Sequence, residues 1–247
     1  MTNLTRRQVL SVLGASGATA LVGHSALART RETPYQQYTY ARSESGALRV
    51  AWYETYNGQL TEVSGNATST NSVANASSTA YVDSHDDTAP VIHVSNVLPG
   101  DWGELVVGLT AEDVPLDVWL QLQATDTDVG TPEPEGDAPE SGLAEVIDAE
   151  VWLDDCDGTS EAGDSWLVGG TLDSVAGALV DGAHLDFGGV GDCANALPVG
   201  ETRCVRFSWT LATAVDNRAM ADGVSFDITF GAVDCPSETN PFAEVRL

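Results

Sequence analysis

The sequence predicts an all-β fold, an antiparallel sandwich with one short helix and long acidic loops. Three observations carry that prediction. Several short segments alternate apolar and polar residues, long polar stretches separate them, and only one segment has helical spacing. Alternation is clearest between Cys204 and Cys235. Val205, Phe207, Trp209 and Leu211 alternate with Arg206, Ser208 and Thr210, and Val224, Phe226, Ile228 and Phe230 alternate with Ser225, Asp227 and Thr229. A period of two marks strands with one buried and one wet face. If these strands pair antiparallel with Cys204 opposite Cys235, Phe207 faces Ala232, Trp209 faces Phe230 and Leu211 faces Ile228. Other registers of the same parity match equally well.

The remaining elements follow in chain order. Ala47–Tyr56 alternates, with Leu48, Val50 and Trp52 on one face, and Asn57-Gly58 ends it with turn chemistry. Residues 59–89 read as a long surface loop or wide hairpin tip, with glycosylation sequons at Asn66 and Asn75. Val91–Leu98 is a strand, Pro99-Gly100-Asp101 a turn, and Glu104–Thr110 its partner. Leu116–Gln123 points Leu116, Val118, Leu120 and Leu122 inward and Trp119 outward, where Trp119 either marks a subunit contact or lies under a loop. Residues 125–142 form an acidic loop rich in Pro and Gly, and Leu143–Leu153 contains a further strand. Thr171–Asp181 is the helix: Leu172, Val175, Ala176 and Leu179 share a face, Thr171 caps it and Gly182 closes it. Trp52, Phe207, Trp209, Phe226 and Phe230 are expected in the core.

Composition bounds the setting. The chain of 247 residues has ten basic residues, all arginine, against 37 acidic ones, and 43% of it is apolar. Apolar content of that size builds a core, and the carboxylates coat it. A lysine-free acidic surface predicts a halophilic protein, because salt screens the self-repulsion. It also argues against a nucleic-acid partner, since phosphate binding needs basic patches. Residues 1–28 read as a twin-arginine export signal: Arg6-Arg7, an apolar run from Leu10 to Gly23, then Ala26-Leu27-Ala28. No second long apolar run follows, so no integral membrane segment is expected after cleavage. The expected domains are the signal, an extended N-terminal segment over 29–46, and the sandwich over 47–247. The four cysteines, Cys156, Cys193, Cys204 and Cys235, read as two disulfides in an exported chain, with three possible pairings. The hairpin argument favours Cys204–Cys235, leaving Cys156–Cys193.

Motifs for catalysis are missing. His85, His93 and His184 sit on separate elements, and neither His-Glu-x-x-His nor Gly-x-Ser-x-Gly occurs. Among so many acids a glycosidase-like carboxylate pair has no discriminating power. No Cys-x-x-Cys spacing supports zinc. Asp155, Asp157 and Asp164 are candidate calcium ligands, because alternating Asp with Gly158 gathers hard oxygen donors.

The order of motifs is informative. Trp52 to Gly58, Val97-Leu98-Pro99-Gly100-Asp101-Trp102-Gly103-Glu104, Val151 to Asp157, Leu172 to Leu179, Cys204 to Trp209, Val224 to Cys235 and Asn240-Pro241-Phe242 occur in that sequence. This order resembles the TasA/camelysin family of exported filament and biofilm-matrix proteins, in its form from halophilic archaea. The resemblance implies a jelly-roll sandwich and self-assembly, in which an extended N-terminal segment is donated as a strand to a neighbouring copy. Here that segment is 29–46, with Tyr35, Tyr38 and Tyr40 as anchors. The chain departs from the family in two places. Tyr38-Thr39-Tyr40-Ala41-Arg42-Ser43 replaces a short apolar lead-in, and Val114-Pro115-Leu116-Asp117-Val118-Trp119 replaces an Asp-Asn-Pro form. Camelysin relatives carry a metallopeptidase label, which no zinc-ligand pattern here supports. The expectation is a non-enzymatic structural subunit, secreted or at the cell surface, with itself as partner and other surface proteins as further partners. The alternatives are a non-polymerising binding module and, less favoured, a metallopeptidase-type hydrolase.

Overall fold

The alternating segments become the strands of a two-sheet sandwich. The computed structural model describes residues 40–43, 48–63, 80–81, 92–95, 97–128, 142–156, 162–215, 223–237 and 239–243. The chain divides into two units, Met1–Glu32 and Thr33–Leu247, and every described residue lies in the second. The export signal, Tyr35, Tyr38, Asn66, Asn75 and Asp157 lie outside the described residues.

Described strands are β1 (Tyr40–Ser43), β2 (Leu48–Tyr56), β3 (Gln59–Val63), β4 (Ala80–Tyr81), β5 (Ile92–Ser95), β6 (Trp102–Ala111), β7 (Leu116–Asp128), β8 (Ile147–Asp154), β9 (Ser165–Thr171), β10 (Ala183–His184), β11 (Thr202–Leu211) and β12 (Gly223–Asp234). Helices are α1 (Leu143–Val146) and α2 (Leu172–Leu179), with a 3-10 turn at Gly191–Cys193. The first sheet has the order β1-β12-β7-β10, with β5 also on β12. The second has the order β3-β2-β6-β11-β8-β9, with β4 also on β2. Within these, β5-β12-β7-β10 faces β6-β11-β8-β9, and every pairing in both sets is antiparallel. From β5 onward the chain changes sheet at each connection except β8 to β9. That winding is a jelly roll.

Alternation on both sheets supplies the core. Leu105, Val107 and Leu109 of β6, Leu120 and Leu122 of β7, and Phe207 and Trp209 of β11 are buried, as are Phe226, Ile228 and Phe230 of β12. Trp52 joins them from β2. Burying an aromatic or leucine side chain stabilises by ~1.5–3 kcal/mol, so this face dominates the fold. Helix α2 covers one flank through Leu172, Val175, Ala176 and Leu179. The Thr171 hydroxyl accepts from the Ser174 N–H at 3.3 Å, and the Gly182 N–H returns to the Leu179 carbonyl at 2.9 Å. Gly182 has φ +81°, a conformation that favours glycine.

Two of the quoted motif segments meet at a tight polar junction. Asp101 accepts from the Tyr56 hydroxyl, from Asn57 Nδ2 at 2.8 Å and from the Leu98 N–H at 2.7 Å. Asn57 Oδ1 accepts from the Trp102 N–H at 2.9 Å. The end of β2 is thereby locked to the turn before β6.

Several expectations are corrected. Strands β11 and β12 lie in different sheets, so the Cys204–Cys235 hairpin does not form. Phe207 meets Phe226 across the sandwich instead, with ring centroids 5.2 Å apart. The disulfides are Cys156–Cys204 and Cys193–Cys235, with Cα separations of 5.0 and 5.8 Å. The reason is register: Cys204 pairs with Asp154 of β8, which brings Cys156, two residues further on, within bonding distance. The expected polar stretch after Asn57 opens with β3 and contains β4, and β7 runs on to Asp128.

Mass mapping of an unreduced digest should recover Cys156 linked to Cys204 and Cys193 linked to Cys235. Replacing Phe230, which is fully buried, by Ala should cost about 3–5 kcal/mol in a denaturant titration.

Candidate functional site

Strand β12 organises the first candidate site, because its two edges are filled so differently. On one edge β7 runs the whole length of β12, with a bulge between Ser225 and Phe226. The other edge is shared. Strand β5 pairs antiparallel over Gly223–Phe226. Strand β1 pairs parallel over Thr229–Ala232, in the register Tyr40↔Thr229, Ala41↔Phe230, Arg42↔Gly231 and Ser43↔Ala232. The expected donor segment thus reaches the sheet edge in its own chain. Tyr40 takes its first ladder position. A strand in this place contributes main-chain hydrogen bonds that the edge would otherwise give to water.

The outer face of the same sheet is covered around Trp119. Trp119 points outward as the alternation predicts, yet it is only 5% exposed. Its ring tilts against His184 at 4.6 Å. The turn at 240–243 lies nearby: a Cβ on Gly231, the register partner of Trp119, would come within 2.5 Å of Pro241 and 3.0 Å of Phe242. Gly182 makes the same allowance for Phe242, at 2.6 Å. Phe242 is buried in that slot. Asp117 holds the approach to this turn by accepting from the Ser237 N–H at 2.8 Å, and His184 Nε2 stands 3.4 Å from its other oxygen. Trp119 is therefore a packing residue under the C-terminal turn, not an exposed subunit contact.

The outer face of the second sheet carries a charged constellation that sequence reading passed over. Arg206 of β11 is 6% exposed. Its register neighbours are Val106 of β6 and Trp152 of β8. Its guanidinium lies 3.6 Å from Glu104 Oε1, 3.7 Å from Asp154 Oδ2 and 5.8 Å from the Trp152 ring centroid. These ion-pair distances exceed hydrogen-bond range. Asp154 also accepts from the Cys156 N–H at 2.7 Å, which ties the cluster to the disulfide. Burial pushes the Glu104 carboxyl above its ordinary value of 4.5, Arg206 opposes the shift and Asp154 adds to it.

Two of the predicted calcium ligands, Asp155 and Asp164, lie at the facing ends of β8 and β9. Asp155 is exposed just after β8, Asp164 is half-buried just before β9, and Asp157 lies outside the described residues. Among the described residues no group of three or more His, Cys, Asp or Glu is placed to hold a metal. Of the histidines, His184 packs on Trp119, His93 lies in β5, and His85 is outside the described residues. Comparison with known proteins finds no matching family model, no matching curated protein and no matching solved structure.

Replacing Arg206 by Met should remove the guanidinium from between Glu104 and Asp154 and cost about 3–5 kcal/mol. Replacing Arg203, whose pairing with Glu201 is solvent-exposed, should cost at most about 1 kcal/mol. The pH dependence of Glu104 has a definite sign. Its folded carboxyl holds a proton more tightly than the unfolded one, so rising pH removes stability across the interval from 4.5 up to the raised folded value. Glu104→Gln lacks this loss. Its melting temperature should gain on the wild type through that interval, and parallel pH profiles would refute the assignment.

Proposed function

We propose that the chain is an exported structural subunit of extracellular filaments or biofilm matrix, which assembles by donating the segment around β1 to the β12 edge of a neighbouring copy. One observation carries the reading. The strand at that position is an appendage: the eight jelly-roll strands β5–β12 are complete without it. Four residues paired in parallel, Tyr40–Ser43, occupy the place next to β5 on β12. The same edge accepts an identical strand from another copy with the same hydrogen bonds, and trading an identical element between copies is a low-cost route to assembly.

The surroundings fit such a subunit. Two disulfides suit an oxidising extracellular setting, and among the described residues no helix is long and apolar enough to cross a membrane. The role is structural, without chemistry or cofactor, and the acidic coat keeps subunits apart except where strand exchange joins them.

Electron microscopy of the chain from residue 29 in high salt should show filaments. Deleting residues 29–46 should abolish them while circular dichroism still reports a β-sandwich. A synthetic peptide of residues 29–46, added in excess, should occupy the β12 edge and shorten the filaments. Filaments that persist after the deletion would overturn strand donation from this segment.

A further inference from the structure

We propose that the outer face of the second sheet binds a neutral polysaccharide, laid across Trp166 and Trp152. The site is independent of the β12 edge and stands whether or not the chain assembles. Register brings its parts together. Trp166 of β9 pairs with Trp152 of β8. The next outward row runs Glu104, Ser208, Glu150 and Gly169 across β6, β11, β8 and β9. Trp102, 38% exposed, stands at the far side on β6. Adjacent strands are ~4.8 Å apart, so the face from β9 to β6 spans ~14 Å, room for a run of sugar rings.

Trp166 is 56% exposed, an unusual position for an indole. Gly169 explains how it is held. A Cβ at Gly169 would come within 3.2 Å of Trp166 Nε1 on one side and 3.2 Å of Glu150 Cγ on the other. The missing side chain lets the indole of Trp166 reach along its strand over the backbone of Gly169 and present a face to solvent. Trp152 is fixed beside it: its Nε1 donates to Glu150 Oε2 at 3.2 Å, and Arg206 lies 5.8 Å from its ring centroid.

Charge selects the occupant. At a formal net charge of −27 the chain repels polyanions. Of the described cations on this face, Arg206 is already set between Glu104 and Asp154, and Arg49 of β2 is paired with Glu112. What remains open is a row of carboxylate and hydroxyl acceptors beside aromatic faces. Their complement is a ligand rich in O–H donors, free of negative charge, and bearing flat C–H faces that rest on indole rings. A neutral pyranose polymer has those features, and its extended form matches a flat sheet better than a compact ligand does.

Tryptophan fluorescence of the full chain, titrated with soluble mixed-linkage β-glucan, xylan and galactomannan, tests this, with alginate as the anionic control. At least one neutral polymer should give a saturable change that survives in ~2 M salt, where charge attraction is screened. Trp166→Ala should weaken binding by about tenfold or more, as expected of an aromatic anchor. Gly169→Val, which keeps both indoles but displaces Trp166, should weaken it too. Circular dichroism establishes that both variants are folded. The proposal is overturned if no neutral polymer in the panel binds, or if Trp166→Ala binds as the wild type does. It also falls if only arginine ethyl ester gives a response and that response vanishes in high salt, which would mark a cation site. A signal that follows protein concentration rather than polymer would reassign the face to self-contact.

Discussion

The sandwich rests on inward side chains from strands that are consecutive in the sequence but opposite in space. Phe207 on β11 meets Phe226 on β12 at 5.2 Å because the chain crosses from one sheet to the other between them. That crossing fixes much else. It places β12 inside the first sheet, with β7 on one edge and β5 and β1 on the other. It places β11 between β6 and β8 in the second, so that Cys204, Arg206 and Ser208 share an outward row direction. The aromatic contact excludes water at the centre, and the two surfaces of functional interest are the consequence at the periphery.

What the sequence reveals here is phase. Trp52, Phe207, Trp209, Phe226 and Phe230 are all buried as their alternation predicts, and α2 has the expected face and cap. Partnership is less legible. Alternation tells which face a residue takes, not which strand lies beside it, so two strands with matched phases read as a hairpin when they stack face to face. The disulfide pairing followed that misreading. Trp119 shows a second limit: its outward phase is correct, but Phe242 comes from far along the chain to close over that face, using space left by Gly182 and Gly231. Strand β9 escaped notice because Gly169-Gly170 and the irregularity opposite Val151/Trp152 break its alternation. Arg206 looked like any solvent-facing arginine until register set it between two carboxylates.

Charge works at two scales. The acidic coat is a property of the whole chain and acts through long-range repulsion, which salt weakens. Arg206 acts locally, where burial strengthens its attraction to the two carboxylates beside it. An arginine suits that position better than a lysine would, because its planar group can face two acids and an indole at once. The raised affinity of Glu104 for its proton comes first from its burial, with Arg206 opposing the shift and Asp154 adding to it.

The parallel sense of β1 on β12 also bears on mechanics. Tension applied at the N-terminal end of β1, with β12 held at its C-terminal end, pulls the two strands along their common axis in opposite directions. Such a load falls on all the hydrogen bonds from Tyr40↔Thr229 to Ser43↔Ala232 together, whereas an antiparallel strand pulled from the same end would open them one at a time. The C-terminal end of β12 runs directly into Cys235, which is bonded to Cys193. Force entering along β1 would therefore pass through β12 and leave through a covalent link into the body of the domain, the loading geometry in which a short strand resists rupture best.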